Sequence, residues 1–173
     1  MFLDRDGVLN RTTIADGVPR PPRTLRDFTL LPGAAKACRR LHDAGFKLVV
    51  VTNQPDVARG AQTRARVEAM NRKLAGLLPV DGVLTCYHDD ADKCACRKPR
   101  PGMLLKAAAR WRIALGESFM VGDRWSDVKA GQAAGCRSIL IEKSYSRARR
   151  CRPDWAADDL SSAADIILRR KPI

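Results

Sequence analysis

Two carboxylates stand two residues apart in Asp4-Arg5-Asp6-Gly7-Val8, just past a short apolar run. A turn permitted by Gly7 can aim both acids into one cavity where the chain leaves a strand. One carboxylate can then attack phosphorus and form an aspartyl phosphate. The other can protonate the departing alkoxide and afterwards deprotonate the water that hydrolyses the intermediate. An Asp-Gly surface turn would contain the same residues, so the chemistry needs further groups, and the chain supplies them. Thr52-Asn53 can donate a hydroxyl and an amide to phosphoryl oxygens. Lys98, within Arg97-Lys98-Pro99, can place a fixed positive charge where those oxygens gain negative charge. Gly122-Asp123-Arg124-Trp125-Ser126-Asp127 adds two more acids. Asp123 can hold Mg²⁺ together with Asp4, since this hard cation prefers carboxylate oxygens and water. Such a cation would relieve the repulsion between an attacking carboxylate and an anionic phosphate.

A second constellation lies on one short loop, where Cys86-Tyr87-His88 is followed after five residues by Cys94-Ala95-Cys96. Zinc favours tetrahedral Cys/His sets, and a closed set of four is structural rather than catalytic. Three buried thiols beside an unrelated histidine would read the same way, and redox use of Cys94 and Cys96 is weaker because C-x-C lacks the usual C-x-x-C spacing. Position favours the metal: Cys96 directly precedes Arg97 and Lys98, so anchoring it would fix the backbone that aims both cations.

The elements that must position these groups alternate. The run 1–3 ends at Asp4, 46–51 is apolar and β-branched up to Thr52, and 119–121 ends at Gly122-Asp123. Further strands are expected at 82–85 and 137–141. Helices are expected over 33–44, 63–78, 103–115, 127–134 and 160–169, with Gly45 and Gly135 as stops. This order predicts a three-layer α/β/α sandwich around a mostly parallel, Rossmann-like sheet, in which ligands bind beyond the carboxyl ends of the strands. Asp4, Thr52-Asn53 and Asp123 all fall there. With only three residues before Asp4, either the sheet accepts a stub or the strand starts upstream.

At 173 residues the chain fits one domain, 1–173, with the zinc loop at 86–96. Its composition, 45% hydrophobic and 29% charged, suits a globular protein, and no apolar run approaches the ~20 residues of a membrane span. Acid at the N-terminus argues against a signal peptide, so a cytoplasmic monomer is expected, with no membrane partner. The net charge of +13 comes mostly from scattered arginines, densest at Arg147, Arg149, Arg150 and Arg152. No aromatic-interleaved basic stretch accompanies them, so no nucleic-acid partner is expected and a solvated basic loop is the simpler account. Cys38 and Cys136 suit small buried hydrophobes, and Trp125 could stack on a sugar.

Asp4-x-Asp6, Thr52, Lys98 and Gly122-Asp123 with Asp127, in this order and over nearly the whole chain, resemble the haloacid dehalogenase superfamily. The resemblance implies Asp4 as nucleophile, Asp6 as general acid/base, and Thr52 and Lys98 as phosphoryl stabilisers. It also implies a Mg²⁺ held by Asp4, Asp123 and the backbone carbonyl of Asp6, with Asp127 behind it, supporting either the metal's water shell or Lys98. Dehalogenase members lack an acid at the position of Asp6, because halide leaves without a proton; an acid there implies a phosphatase. The cysteine loop followed by 97–103 looks like the D-glycero-D-manno-heptose 1,7-bisphosphate 7-phosphatases, and the histidinol phosphatases are similar. Both lack a large cap domain and carry a structural Zn²⁺ on Cys86, His88, Cys94 and Cys96. In them the arginine at position 97 helps recognise substrate and the basic residue at 124 lies near the phosphate; Asn53 and Arg59 complete the candidate substrate contacts. Pro55-Asp56 replaces the Ser-Gly usual in the heptose enzymes, and Asp89-Asp90 add acids to a short loop. The implied activity is Mg-dependent hydrolysis of a small phosphorylated metabolite, best a heptose bisphosphate. The alternatives are histidinol phosphate as substrate, or a zinc-stabilised binding module without turnover.

Overall fold

The structure is a computed structural model that describes residues 1–146 and 151–170. Its strands form where apolar runs can be buried on both faces. Phe2–Leu3 (β1), Val49–Asn53 (β4), Gly82–Cys86 (β5), Phe119–Gly122 (β6), Arg137–Ile141 (β7) and Trp155–Ala157 (β8) make one sheet in the order β5-β4-β1-β6-β7-β8. Every pairing in it is parallel. Thr13–Ala15 (β2) and Val18–Arg20 (β3) form a separate antiparallel hairpin.

Period-two alternation sends successive side chains to opposite layers. Leu3, Val50 and Val121 face a core closed by the helices Ala34–Asp43 (α1), Arg64–Leu77 (α2) and Leu160–Leu168 (α5). Phe2, Val49, Val51 and Met120 face the opposite core, closed by Gly102–Trp111 (α3) and Trp125–Ala133 (α4). The result is the expected α/β/α sandwich. The chain moves outward from β1 through β4 to β5, then returns to the other side of β1 with β6. The sheet's switch point therefore lies between β1 and β6, where a crevice opens beyond the strand ends.

Several boundaries differ from expectation. The strand expected at 46–51 forms at Val49–Asn53, because its neighbours supply ladder partners only from Val49 onward: Phe2 and Gly82 both pair there. The helix expected to reach 115 stops at Trp111, where Arg112 adopts a left-handed conformation with φ 52°. The stub strand β1 is accepted because it is central, hydrogen-bonded on both sides to β4 and β6. The hairpin and β8 were not expected. Cys38 and Cys136 are buried among apolar side chains as expected, and Trp155 packs on Phe119 at 6.1 Å between ring centroids. Of the basic cluster near Pro153, Arg147, Arg149 and Arg150 lie outside the described residues.

Candidate active site

The switch point brings the first and third acid motifs together. The Asp4 N–H donates to the Val121 carbonyl at 2.9 Å, which sets Asp4 beside Gly122-Asp123 at the end of β6. Gly7 turns the chain immediately afterwards with φ 91°. Any Cβ at that position would meet the Asp123 carboxylate and the Tyr145 hydroxyl, so only glycine permits the approach. Carboxylate oxygens of Asp4, Asp123 and Asp127 lie within 4.8 Å of one another, all three residues buried.

Lys98 supplies the one ammonium among them. Its Nζ donates to Asp4 Oδ1 at 2.7 Å, Asp127 Oδ1 at 2.6 Å and the Val51 carbonyl at 2.7 Å, so each of its three N–H bonds has an acceptor. Burial opposes its charge, but Asp127 and Asp4 outweigh that and hold Lys98 above the ordinary lysine range. Asn53 fixes the lysine's backbone: its amide donates to the Lys98 carbonyl at 3.0 Å and its oxygen accepts the Lys98 N–H at 3.2 Å. Asp127 Oδ2 accepts the Arg124 N–H at 2.9 Å at the start of α4, so both its oxygens are engaged.

Three acids against one lysine leave negative charge in excess. Burial, then the neighbouring carboxylates, push Asp123 up to about 8, and burial pushes Asp4 up to about 6 against the pull of Lys98. Asp123 Oδ2 accepts from the Tyr145 hydroxyl at 2.8 Å, whereas Asp123 Oδ1 is buried with no hydrogen-bond partner among the described residues. A buried carboxylate oxygen without a donor, beside other acids, has the chemistry of a ligand for a hard divalent cation.

Asp6 enters the same cavity, which measures about 370 Å³ and is also lined by Asp4, Thr52, Asn53, Arg97, Lys98 and Trp125. Its carboxylate accepts from Arg5 Nη2 at 2.9 Å, Asn10 Nδ2 at 2.9 Å and Gln54 Nε2 at 2.6 Å. Of the expected substrate contacts, Arg59, Arg97 and Arg124 line this cavity too. Arg59 pairs with Asp89 at 2.6 Å and Arg97 with Asp90 at 2.7 Å, so the extra acids of the cysteine loop hold two of the arginines in place. Arg124 and Arg20 line the cavity with no carboxylate within salt-bridge distance among the described residues.

The cysteine loop closes one wall. Its sulfurs stand 3.2 to 3.7 Å apart, and His88 Nδ1 lies 3.2 Å from Cys96 Sγ and 3.7 Å from Cys86 Sγ. Ligands ~2.3 Å from a tetrahedral centre stand ~3.7 Å from one another, so the set is close to what zinc requires. The register of β4 on β5 puts Asn53 opposite Cys86, and the Gln54 N–H donates to the Cys86 carbonyl at 2.7 Å. The loop is thus bonded directly to the strand end that carries Thr52.

Sequence reasoning overlooked Arg5, Asn10, Gln54, Tyr145 and the hairpin residue Arg20. Arg5 is fully buried. Asp16-Gly17, with φ 53° and 69°, is the two-residue turn signal that would have found the hairpin.

Comparison with known proteins agrees with this geometry. Residues 95–163 match the HAD-hydrolase-like family pattern. The chain is 33% identical to the D-glycero-beta-D-manno-heptose-1,7-bisphosphate 7-phosphatase of Pseudomonas aeruginosa, covering 98% of this chain and 97% of that protein. It is 40% identical to the D-glycero-alpha-D-manno-heptose-1,7-bisphosphate 7-phosphatase of Mycobacterium tuberculosis, covering 82% of this chain and 78% of the other. Among solved structures, the D,D-heptose 1,7-bisphosphate phosphatase of B. bronchiseptica, complexed with magnesium and phosphate, superposes with a TM-score of 0.84. That match is 34% identical and covers 98% of this chain and 97% of that one.

Proposed function

Since the chain belongs to the HAD-like phosphatases, we propose that it hydrolyses a heptose 1,7-bisphosphate at its 7-phosphate through an aspartyl phosphate on Asp4. The observation that carries the reading is the cluster of Asp4, Lys98, Asp123 and Asp127 beside Asp6, with Asp123 Oδ1 unpartnered among the described residues.

The contacts support the following roles. Asp4 attacks phosphorus from the side opposite the ester oxygen, and the new oxygen–phosphorus bond replaces the bond to the leaving alkoxide. Asp6, in the same cavity, gives that alkoxide its proton and then takes one from the water that attacks the phosphoenzyme, which releases phosphate and restores Asp4. Thr52 and Asn53 receive the phosphoryl oxygens, and Lys98, held in place by Asp127, joins them by turning to the phosphoryl group the N–H that donates to Asp4. A magnesium ion on Asp4, Asp123 and the Asp6 carbonyl would offset the repulsion between carboxylate and phosphate. A zinc ion on Cys86, His88, Cys94 and Cys96 would hold the loop that presents Arg97 and Lys98. Two facts favour a bisphosphate: the relatives' substrates, and the cavity cations Arg20 and Arg124, which form no salt bridge among the described residues.

The test is phosphate release, ranked by kcat/KM, over both heptose 1,7-bisphosphate anomers, simple sugar monophosphates and histidinol phosphate. A bisphosphate should lead by at least tenfold. Histidinol phosphate in first place would reassign the substrate, and no turnover of any phosphomonoester with Mg²⁺ present would remove the catalytic reading.

A further inference from the structure

Asp6 sits at the end of a buried chain of hydrogen bonds that none of the assigned roles explains. Thr85 Oγ1, on the outermost strand β5, accepts from Asn71 Nδ2 at 3.0 Å. Asn71 Oδ1 accepts from Arg5 Nη1 at 2.8 Å, and Arg5 Nη2 reaches Asp6 Oδ2 at 2.9 Å. On the other side, Gln54 Nε2 donates to Asp6 Oδ2 at 2.6 Å and to Thr52 Oγ1 at 3.0 Å. Gln54 is 2% exposed, and its own N–H is tied to the Cys86 carbonyl at 2.7 Å. When Asp6 is ionised its carboxylate only accepts, so the nitrogen of Gln54 faces it. Both amide hydrogens are thereby used, one on the candidate acid and one on the candidate phosphoryl ligand.

We propose that Gln54 is a positioning residue for this hydrolysis, holding the Asp6 carboxylate at the leaving-group side of Asp4. The inference rests on the role given to Asp6 above. Asn10 approaches Asp6 from its own segment of chain, and Arg5 ties it to α2 through Asn71. Gln54 directly follows β4, whose end carries Thr52, and so ties the acid to the strand end that receives the phosphoryl group. A second consequence concerns Thr52: because its oxygen accepts from Gln54, its own hydroxyl hydrogen is free to point at a phosphoryl oxygen.

Asp6 acts as an acid only where the leaving group needs a proton, whereas its action as base on the phosphoenzyme is common to all esters, so the experiment reads kcat/KM, which reports the steps through phosphoryl transfer. Turnover of a sugar phosphate and of p-nitrophenyl phosphate, whose nitrophenolate leaves unprotonated, is measured for wild type, Asp6→Asn and Gln54→Met. Methionine matches glutamine in size and lacks the donors, and Gln54→Ala is run beside it with unfolding curves for each. General acid catalysis contributes ~10²–10⁴-fold, so a displaced acid should forfeit about 10–100-fold in kcat/KM. Gln54→Met is expected to lose at least tenfold more kcat/KM on the sugar phosphate than on the nitrophenyl ester, in the same direction as Asp6→Asn. An equal loss on both esters, with Asp6→Asn selective, would overturn the role of Gln54 alone. No selectivity in Asp6→Asn would overturn the role of Asp6 and this inference with it.

Discussion

Replacing Asp123 by asparagine should stabilise the magnesium-free protein, and more so as the pH rises. In the fold, burial and the adjacent Asp4 push this carboxyl from 3.8 up to about 8. A carboxyl that keeps its proton in the fold, and loses it in the unfolded chain, makes folding take up protons. Stability is then greatest at low pH and falls as the pH rises from about 4 to about 8. At ~1.36 kcal/mol for each pH unit, full ionisation costs about 6 kcal/mol, of which about 4 kcal/mol develops above pH 5. Asparagine does not titrate, so the variant escapes this cost. The assay is urea unfolding at 25 °C in magnesium-free buffers from pH 5 to pH 9, without chelator so that any zinc stays bound. Subtracting wild type from Asp123→Asn cancels the groups that titrate alike in both. The difference should climb by about 4 kcal/mol across that range, and millimolar Mg²⁺ should raise wild-type stability while leaving the variant unmoved. A difference that stays within about 1 kcal/mol, or an equal response of both proteins to Mg²⁺, would refute the claim that excess buried negative charge awaits a cation here.

Asp4→Asn should abolish turnover, and acid quenching with labelled substrate should trap phosphate on wild type but not on the variant; label on another residue would end the assignment. Protein purified without chelator should carry stoichiometric zinc by metal analysis, and Cys96→Ser should lower kcat at least ~10-fold through loss of Arg97 and Lys98 placement. Gly7→Ala should cost about 1–3 kcal/mol in unfolding experiments from its left-handed backbone alone. It should also weaken Mg²⁺ binding by calorimetry, since the added methyl meets the Asp123 carboxylate.

The parts of the site that were legible share one property: a polar residue ends an apolar run. Asp4, Thr52 and Asp123 announce themselves this way, because a strand buried on both faces tolerates polar groups only where it emerges. The cysteine loop was legible for another reason, since four ligands within eleven residues need little help from the rest of the chain. Arg5, Gln54 and Tyr145 carry no such mark. Each contacts a residue distant in sequence, Asn71, Asp6 and Asp123 respectively, and nothing local distinguishes it from a surface side chain. The hairpin β2–β3 was missed because three-residue strands, one holding Pro19, fall below any periodic signal. The strand at 46–51 was displaced for a related reason: the apolar run marks what can be buried, while the ladder starts where a neighbour exists.

Composition, periodicity and spacing by themselves determined the alternation of strands and helices, the parallel sheet and the residues with the chemistry for phosphoryl transfer, because those follow from short-range constraints of burial and ligand type. Only the tertiary structure decided which strand lies beside which. The placing of β1 between β4 and β6 converts three scattered acids and a lysine into one buried cluster with unbalanced charge. Electrostatic energy depends on distance through space, and residues far apart in the chain acquire that distance only when the sheet closes.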